Sequence, residues 1–229
     1  MRETWLQALR ELARGTAGID AEIYRTFARD PLEPVVGMGD PRARLAIFGR
    51  DPGREEVRHQ IPFIGAGGQK VRAVLHQAVF ERPLDSFQDS VAVGQYVFWA
   101  NTVPYKPVGN KAWSQAVKKR FQPWMARILL EGWHGNDVVT LGREAFYWFA
   151  LNQERQSKGG FDDFWRRPDR FQASFPVTFS GPDGQRRRFI LHPLPHPSPL
   201  NATWYRQFPG LLADRLKQMN FGEARWRLS

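Results

Sequence analysis

Residues 45–53 read LAIFGRDPG. Four apolar residues run without a break and then stop at turn-forming residues. A short continuous run of this kind is the pattern of a strand buried on both faces, as in a parallel sheet covered by helices. The same pattern returns downstream. Tyr96–Ala100 reads as a second buried strand that ends in Asn101, and Val138–Leu141 as a third. Phe175–Phe179 and Arg186–Leu191 flank GPDG (181–184), which predicts a hairpin.

Helical periodicity fills the intervals. Trp5, Leu9 and Leu12 predict an amphipathic helix over 3–14, and Ile19, Ile23 and Phe27 a second over 19–28, before EPVVGMGDP (33–41) breaks the pattern. Val71, Val74, Leu75 and Ala78 mark another. Residues 113–131 are helical, with Pro123 expected to start or kink the helix. Gly142 opens the helix REAFYWFAL, and a last helix covers 203–219. The polar stretch 152–170 reads as an exposed loop. Strands alternating with helices predict an α/β fold, a three-layer α/β/α sandwich around a mostly parallel four-stranded sheet. No repeat or linker divides it, so residues 1–229 are expected to form a single domain with the N-terminal helices (1–30) packed on it.

The chain has 229 residues, with 33 Lys+Arg against 23 Asp+Glu and a formal charge of +10. The sequence pI is near 10.4. This balance favours an anionic partner such as nucleic acid. There is no cysteine. A disulfide and any cysteine-ligated zinc or iron–sulfur centre are therefore excluded. MRETWLQALRELARG lacks the apolar core of a signal peptide. A cytoplasmic, monomeric protein without membrane association is expected.

In open α/β sheets, ligands bind beyond the carboxyl ends of the strands. Three such ends carry distinctive chemistry: GRDPG with Asp51, Asn101 followed by TVPYKPVGNK (102–111), and HPLPHPSPLN (192–201). The last stretch is stiffened by four prolines and cannot be helical. Each feature alone has an ordinary reading: Asp-Pro-Gly makes turns, Asn caps, and a histidine among prolines bonds backbone.

GRDPGREEVRHQIPFIGAGG (49–68), with its PFIG segment, resembles the first active-site motif of the uracil-DNA glycosylase superfamily. HPSPL (196–200) resembles its second motif, and Asn101 and the Leu141-Gly142 segment through Ala145 fall where members carry matching features. The resemblance covers about residues 40–215. Its spacing is closest to the iron–sulfur-bearing branch, yet this chain has no cysteine, and Asp51 stands where other uracil-specific branches carry a catalytic Asp. Arg50 departs from relatives, which commonly have Gln, Glu or another small or polar residue.

The resemblance implies a DNA repair glycosylase that needs no metal or cofactor and hydrolyses the N-glycosidic bond of uracil, or a related deaminated base, flipped out of DNA. Asp51 would stabilise the cationic sugar and position water, and His196 would donate to the base oxygen. Gly49, Arg50, Gly53, Phe63 and Asn101 would line the base site, with Phe63 stacking and Asn101 reading the base edge. Gly53, where a tyrosine can exclude thymine's methyl group, leaves room. Ser198, Lys106 and Lys111 would contact DNA, and Leu200 would wedge into the stack. His192 is expected to be structural. Arg50 has three open roles: pairing with Asp51, contacting a phosphate, or obstructing the pocket. The runs 118–120 and 186–188 are either phosphate contacts or solvated faces. A non-catalytic reader of uracil or abasic DNA and a small-molecule α/β enzyme remain as other classes. Uracil, hypoxanthine, xanthine and mismatched thymine are not ranked.

Overall fold

A computed structural model of the chain describes residues 2–37, 39–151, 153, 155–199 and 201–222, with the backbone alone for 155–158. Five strands form one sheet: β1 (Leu45–Gly49), β2 (Phe98–Asn101), β3 (Asp137–Leu141), β4 (Phe175–Ser180) and β5 (Arg186–Leu194). Their order is β2-β1-β3-β5-β4. The first four in that order are parallel, and β4 joins β5 antiparallel at the edge. The sheet thus has five strands where the sequence predicts four. The first arm of the predicted hairpin pairs along its whole length with β5 and extends the sheet. Its alternating burial is what an edge strand covered on one face shows.

Helices α1 (Glu3–Arg14), α2 (Ala21–Thr26), α3 (Arg54–His59), α4 (Ala66–Phe80), α5 (Phe87–Ala92), α6 (Gln115–Glu131), α7 (Arg143–Trp148), α8 (Arg155–Arg166) and α9 (Ala202–Gln218) surround it. Successive strand residues point to opposite faces, and each face has its own core. Ala46, Phe48, Phe98, Ala100 and Val138 pack with Trp5, Leu9, Phe121, Met125 and Phe146 from α1, α6 and α7. Leu45, Ile47, Trp99 and Val139 pack with Val71, Leu75, Phe208 and Leu212 from α4 and α9. This is the three-layer arrangement that continuous apolar strands demand. Pro123 and Pro209 lie inside α6 and α9 without ending either. No helix among the described residues is long and apolar enough to cross a membrane.

The described residues of 152–170 are not an exposed loop: α8 occupies most of the stretch. Phe161 and Phe164 are buried. They meet Phe146 at ring-centroid distances of 5.0 and 5.6 Å, with Trp165 at 5.2 Å. These three recur at i, i+3 and i+4, a single helical face. Burying each phenylalanine stabilises by about 2 kcal/mol, enough to order an otherwise polar segment. Tyr96, expected in β2, instead ends a short 3₁₀ turn (Val93–Tyr96).

Candidate active site

Because β2, β1, β3 and β5 are parallel, their carboxyl ends emerge on one edge of the sheet. The register sets Gly49 beside Asn101 and Leu141 beside Leu194. The three stretches singled out in the sequence therefore meet there. They frame a cleft of about 750 Å³ lined by Gly49, Arg50, Asp51, Gly53, Phe63 and His196, among others.

Asp51 is the second residue after β1, and its side chain is only 3% exposed. Arg50 grips both of its oxygens, Nε to Oδ1 at 2.7 Å and Nη2 to Oδ2 at 3.1 Å. The same Nη2 donates to the Asn110 carbonyl at 2.9 Å, tying the loop after β2 to the loop after β1. Burial raises the Asp51 pKa to about 6, against the opposing pull of Arg50, Lys118 and Lys106. A buried carboxylate that titrates near neutrality is a common feature of catalytic sites. Of the three roles open to Arg50, the structure shows the pairing with Asp51.

Gly49 is a glycine for a steric reason. A Cβ there would lie 2.6 Å from the Phe63 ring and 3.2 Å from Asn101 Oδ1. The bare backbone lets an aromatic face and a carboxamide converge at the cleft floor. Asn101 is 4% exposed, with its Oδ1 next to Gly49 at the cleft floor. Among the described residues its carboxamide has no hydrogen-bond partner.

Phe63 adopts a left-handed conformation (φ +53°), an uncommon state for a bulky residue. Arg72 holds it there. This fully buried guanidinium donates to the Phe63 carbonyl at 2.8 Å and the Pro62 carbonyl at 2.7 Å, and lies over the Trp99 ring. The Phe63 ring packs on Trp99 with centroids 5.1 Å apart. Glu56 joins the two loops that carry Gly53 and Phe63. It accepts from the Gly53 amide at 3.0 Å and the Gly65 amide at 2.7 Å. A Cβ on Gly53 would come within 2.7 Å of the Glu56 carboxylate, so the glycine also serves this contact.

Glu56 and Arg72 are site residues that the sequence motifs do not point to. The position of Glu56, three residues after Gly53 at the start of a helix, is the available capping signal. Arg72, between the apolar Val71 and Ala73 of α4, gave no comparable sign.

His196 lies across the cleft. A Cβ on Gly142 (φ +87°) would sit 3.0 Å from the His196 Cβ, and one on Gly67 would meet the Pro197 carbonyl at 2.6 Å. Two glycines thus let this loop approach β3 and α4. The loop closes on itself through Ser198 N–H to the His196 carbonyl and Asn201 N–H to the Ser198 carbonyl, both 2.9 Å. His196 is exposed to the cleft, but the protein packed around its ring and the nearby Arg50 charge both push its pKa down, toward about 4. Even a fraction of that shift leaves the imidazole neutral at pH 7, because it starts at 6.5. Ser198 lines the same cleft. Leu200 lies outside the described residues.

The predicted basic contacts divide. Lys111 is exposed beside Asn110. Lys106 turns inward and is 4% exposed, with Nζ 2.8 Å from Asp20 and 3.0 Å from the Pro107 carbonyl. It cannot meet a phosphate from there, and acts on the site only through its charge near Asp51. Lys118 is likewise buried, on Glu144. Arg120 holds the Gly15 carbonyl, and Arg187 caps the end of α6 through carbonyls such as that of Leu130. Arg186 and Arg188 are exposed at the amino end of β5, the end away from the cleft. His192 is structural, between Ser174 and Asp137 at 2.9 Å each.

The arrangement offers a buried carboxylate, a neutral imidazole, a free carboxamide and an aromatic face around one cleft in a basic protein. A family model, that of the uracil DNA glycosylase superfamily, matches residues 36–220, which include every one of these groups.

Proposed function

Because the chain belongs to the uracil DNA glycosylase superfamily, we propose that it hydrolyses the N-glycosidic bond of uracil, or a related deaminated base, flipped out of DNA. The observation that carries this reading is the pairing of Asp51, nearly buried and titrating near 6, with a neutral His196 across the same cleft. The C1′–N bond breaks and its electron pair leaves with the base. The sugar becomes cationic, and Asp51 stabilises it. His196 donates to the oxygen where charge gathers, as an oxyanion donor does. Asn101, freed from internal bonding, reads the base edge, and Phe63 stacks on it. Water adds at C1′ and passes its proton to Asp51, leaving an abasic site.

A panel of oligonucleotides carrying uracil, hypoxanthine, xanthine or a thymine mismatch, single- and double-stranded, tests the reading. Alkali-labile sites are expected on at least one deaminated base. The clamp of Arg50 on both Asp51 oxygens favours a second reading, a reader that binds the lesion without cutting it. Tight lesion binding with no alkali-labile site would select it.

The clamp also predicts a pH effect. Activity needs ionised Asp51, so the rate should rise with pH through about 6. Arg50 lowers that pKa by charge and hydrogen bonding. Arg50→Ala should therefore move the acid limb upward by roughly one unit or more. Single-turnover rates between pH 5 and 9 measure it, and an unmoved limb would assign the titration to another group.

A further inference from the structure

Val108 is the most exposed large apolar side chain among the described residues, at 56%. A single exposed valine means little by itself, since apolar residues dot every protein surface. Its mounting is what distinguishes it. On one side the chain is pinned to the segment after α1: the Val108 amide donates to the Gly18 carbonyl at 2.9 Å, and Pro107 bridges Ile19. The Lys106–Asp20 ion pair fixes the same strut. On the other side Gly109 (φ +64°) and Asn110 (φ +56°) turn the chain back in left-handed conformations. No described residue lies within 4 Å of a Cβ on Gly109, so among the described residues the tip stands clear.

The tip also stands at the cleft. Asn110 lines it, and its carbonyl accepts the Arg50 hydrogen bond. In the sheet order, β2, which leads to Val108, is separated from β5, which leads to His196, by β1 and β3. Three strand spacings place the two loops roughly 15 Å apart at their roots. A nucleotide drawn into the cleft would therefore have one rigid loop on either side. Lys111, exposed next to the tip, adds a cation suited to a phosphate.

We propose that Val108 is a DNA contact, an apolar plug that presses into the base stack on the side of the cleft opposite the 196–199 loop. Rigid apolar side chains act in this way where proteins unstack duplex steps. The stack is continuous only in a duplex, so the contact favours double-stranded over single-stranded substrate. The inference rests on the reading of this cleft as a DNA site.

The test is binding by the full chain to a duplex with a stable abasic analogue, and to the single strand alone. Because the analogue cannot be cleaved, binding is read independently of catalysis. Val108→Ser should weaken duplex binding about tenfold and leave single-strand binding within about twofold. Val108→Phe should retain the duplex preference. An exposed position should leave the melting temperature unchanged, which checks folding. Equal losses on both substrates, or none, would overturn the proposal. Should wild-type protein cleave no lesion while Val108→Ser shows the duplex-selective loss, the catalytic reading falls and the contact stands. Intact cleavage with unchanged binding gives the converse, and a wild-type chain that binds no DNA removes both.

Discussion

Asp51→Asn is expected to abolish nearly all glycosylase activity while making the protein more stable at alkaline pH. The rate loss follows from its role. Asn keeps the shape but neither balances a cationic sugar nor accepts a proton from water. A positioned base contributes about 10²- to 10⁴-fold, so the single-turnover rate should fall by about that factor. The stability gain follows from burial. Asp51 titrates near 6 in the folded chain, against an ordinary aspartate value of 3.8. Below about pH 3.8 the carboxyl is protonated whether folded or unfolded, and aspartate and asparagine are equivalent. As pH rises, the unfolded chain releases the proton first, and the fold loses stability until its own carboxyl ionises near 6. The accumulated difference is on the order of 2–3 kcal/mol. Thermal melts of both proteins at pH 4 and pH 8 check it: the variant should melt several degrees higher at pH 8, with the gap closing in acid. Equal melting at both pH values, with activity retained, would remove Asp51 from the mechanism.

His196→Ala is the second large effect. The imidazole is neutral at working pH and faces the cleft, so its contribution is a donor aimed at charge that develops on the leaving base. Losing one such donor costs about 10²- to 10³-fold in rate. Because the ring is exposed, stability should change by less than about 0.5 kcal/mol. The acid limb near pH 6 should persist in this variant, since it belongs to Asp51. His196→Asn, which restores an N–H donor, should recover part of the rate. A variant with the wild-type rate, or with a displaced acid limb, would contradict the assignment.

Much of this architecture was legible without coordinates. LAIF and VFWA carry no polar break, so they must be covered on both faces, and a three-layer fold follows. Turn residues marked where each strand stopped, and the parallel rule then brought Asp51, Asn101 and His196 to one edge. The aromatic triplet of α8 shows where the reading failed. Phe161, Phe164 and Trp165 sit on one helical face, but Lys, Asp and Gly around them masked the period, and it takes Phe146 and Phe175 to hold that face down.

The site residues divide on the same line. Gly49 and Gly142 stand at strand ends, and what approaches each is visible only in space. In the sequence Lys106 reads as a phosphate contact and Lys118 as part of a run that either contacts phosphate or is a solvated face, because a lysine in a loop or a charge run is normally solvated. Their partners, Asp20 and Glu144, lie 86 and 26 residues away in the chain. Glu56 had a local signal in its spacing from Gly53, but its second bond, to Gly65, depends on how the chain returns.

By itself, then, the sequence determined the order and type of most elements, the absence of cysteine chemistry, and the strand ends at which chemistry would gather. These follow from periodicity and turn preference, which act over a few residues. Tertiary structure alone decided that Arg50 clamps Asp51 and braces Asn110, that Lys106 faces inward, and that Asp51 titrates near 6 while His196 stays neutral. Those properties depend on distance and burial among groups remote in sequence, and they come into being only when packing has excluded water from between them.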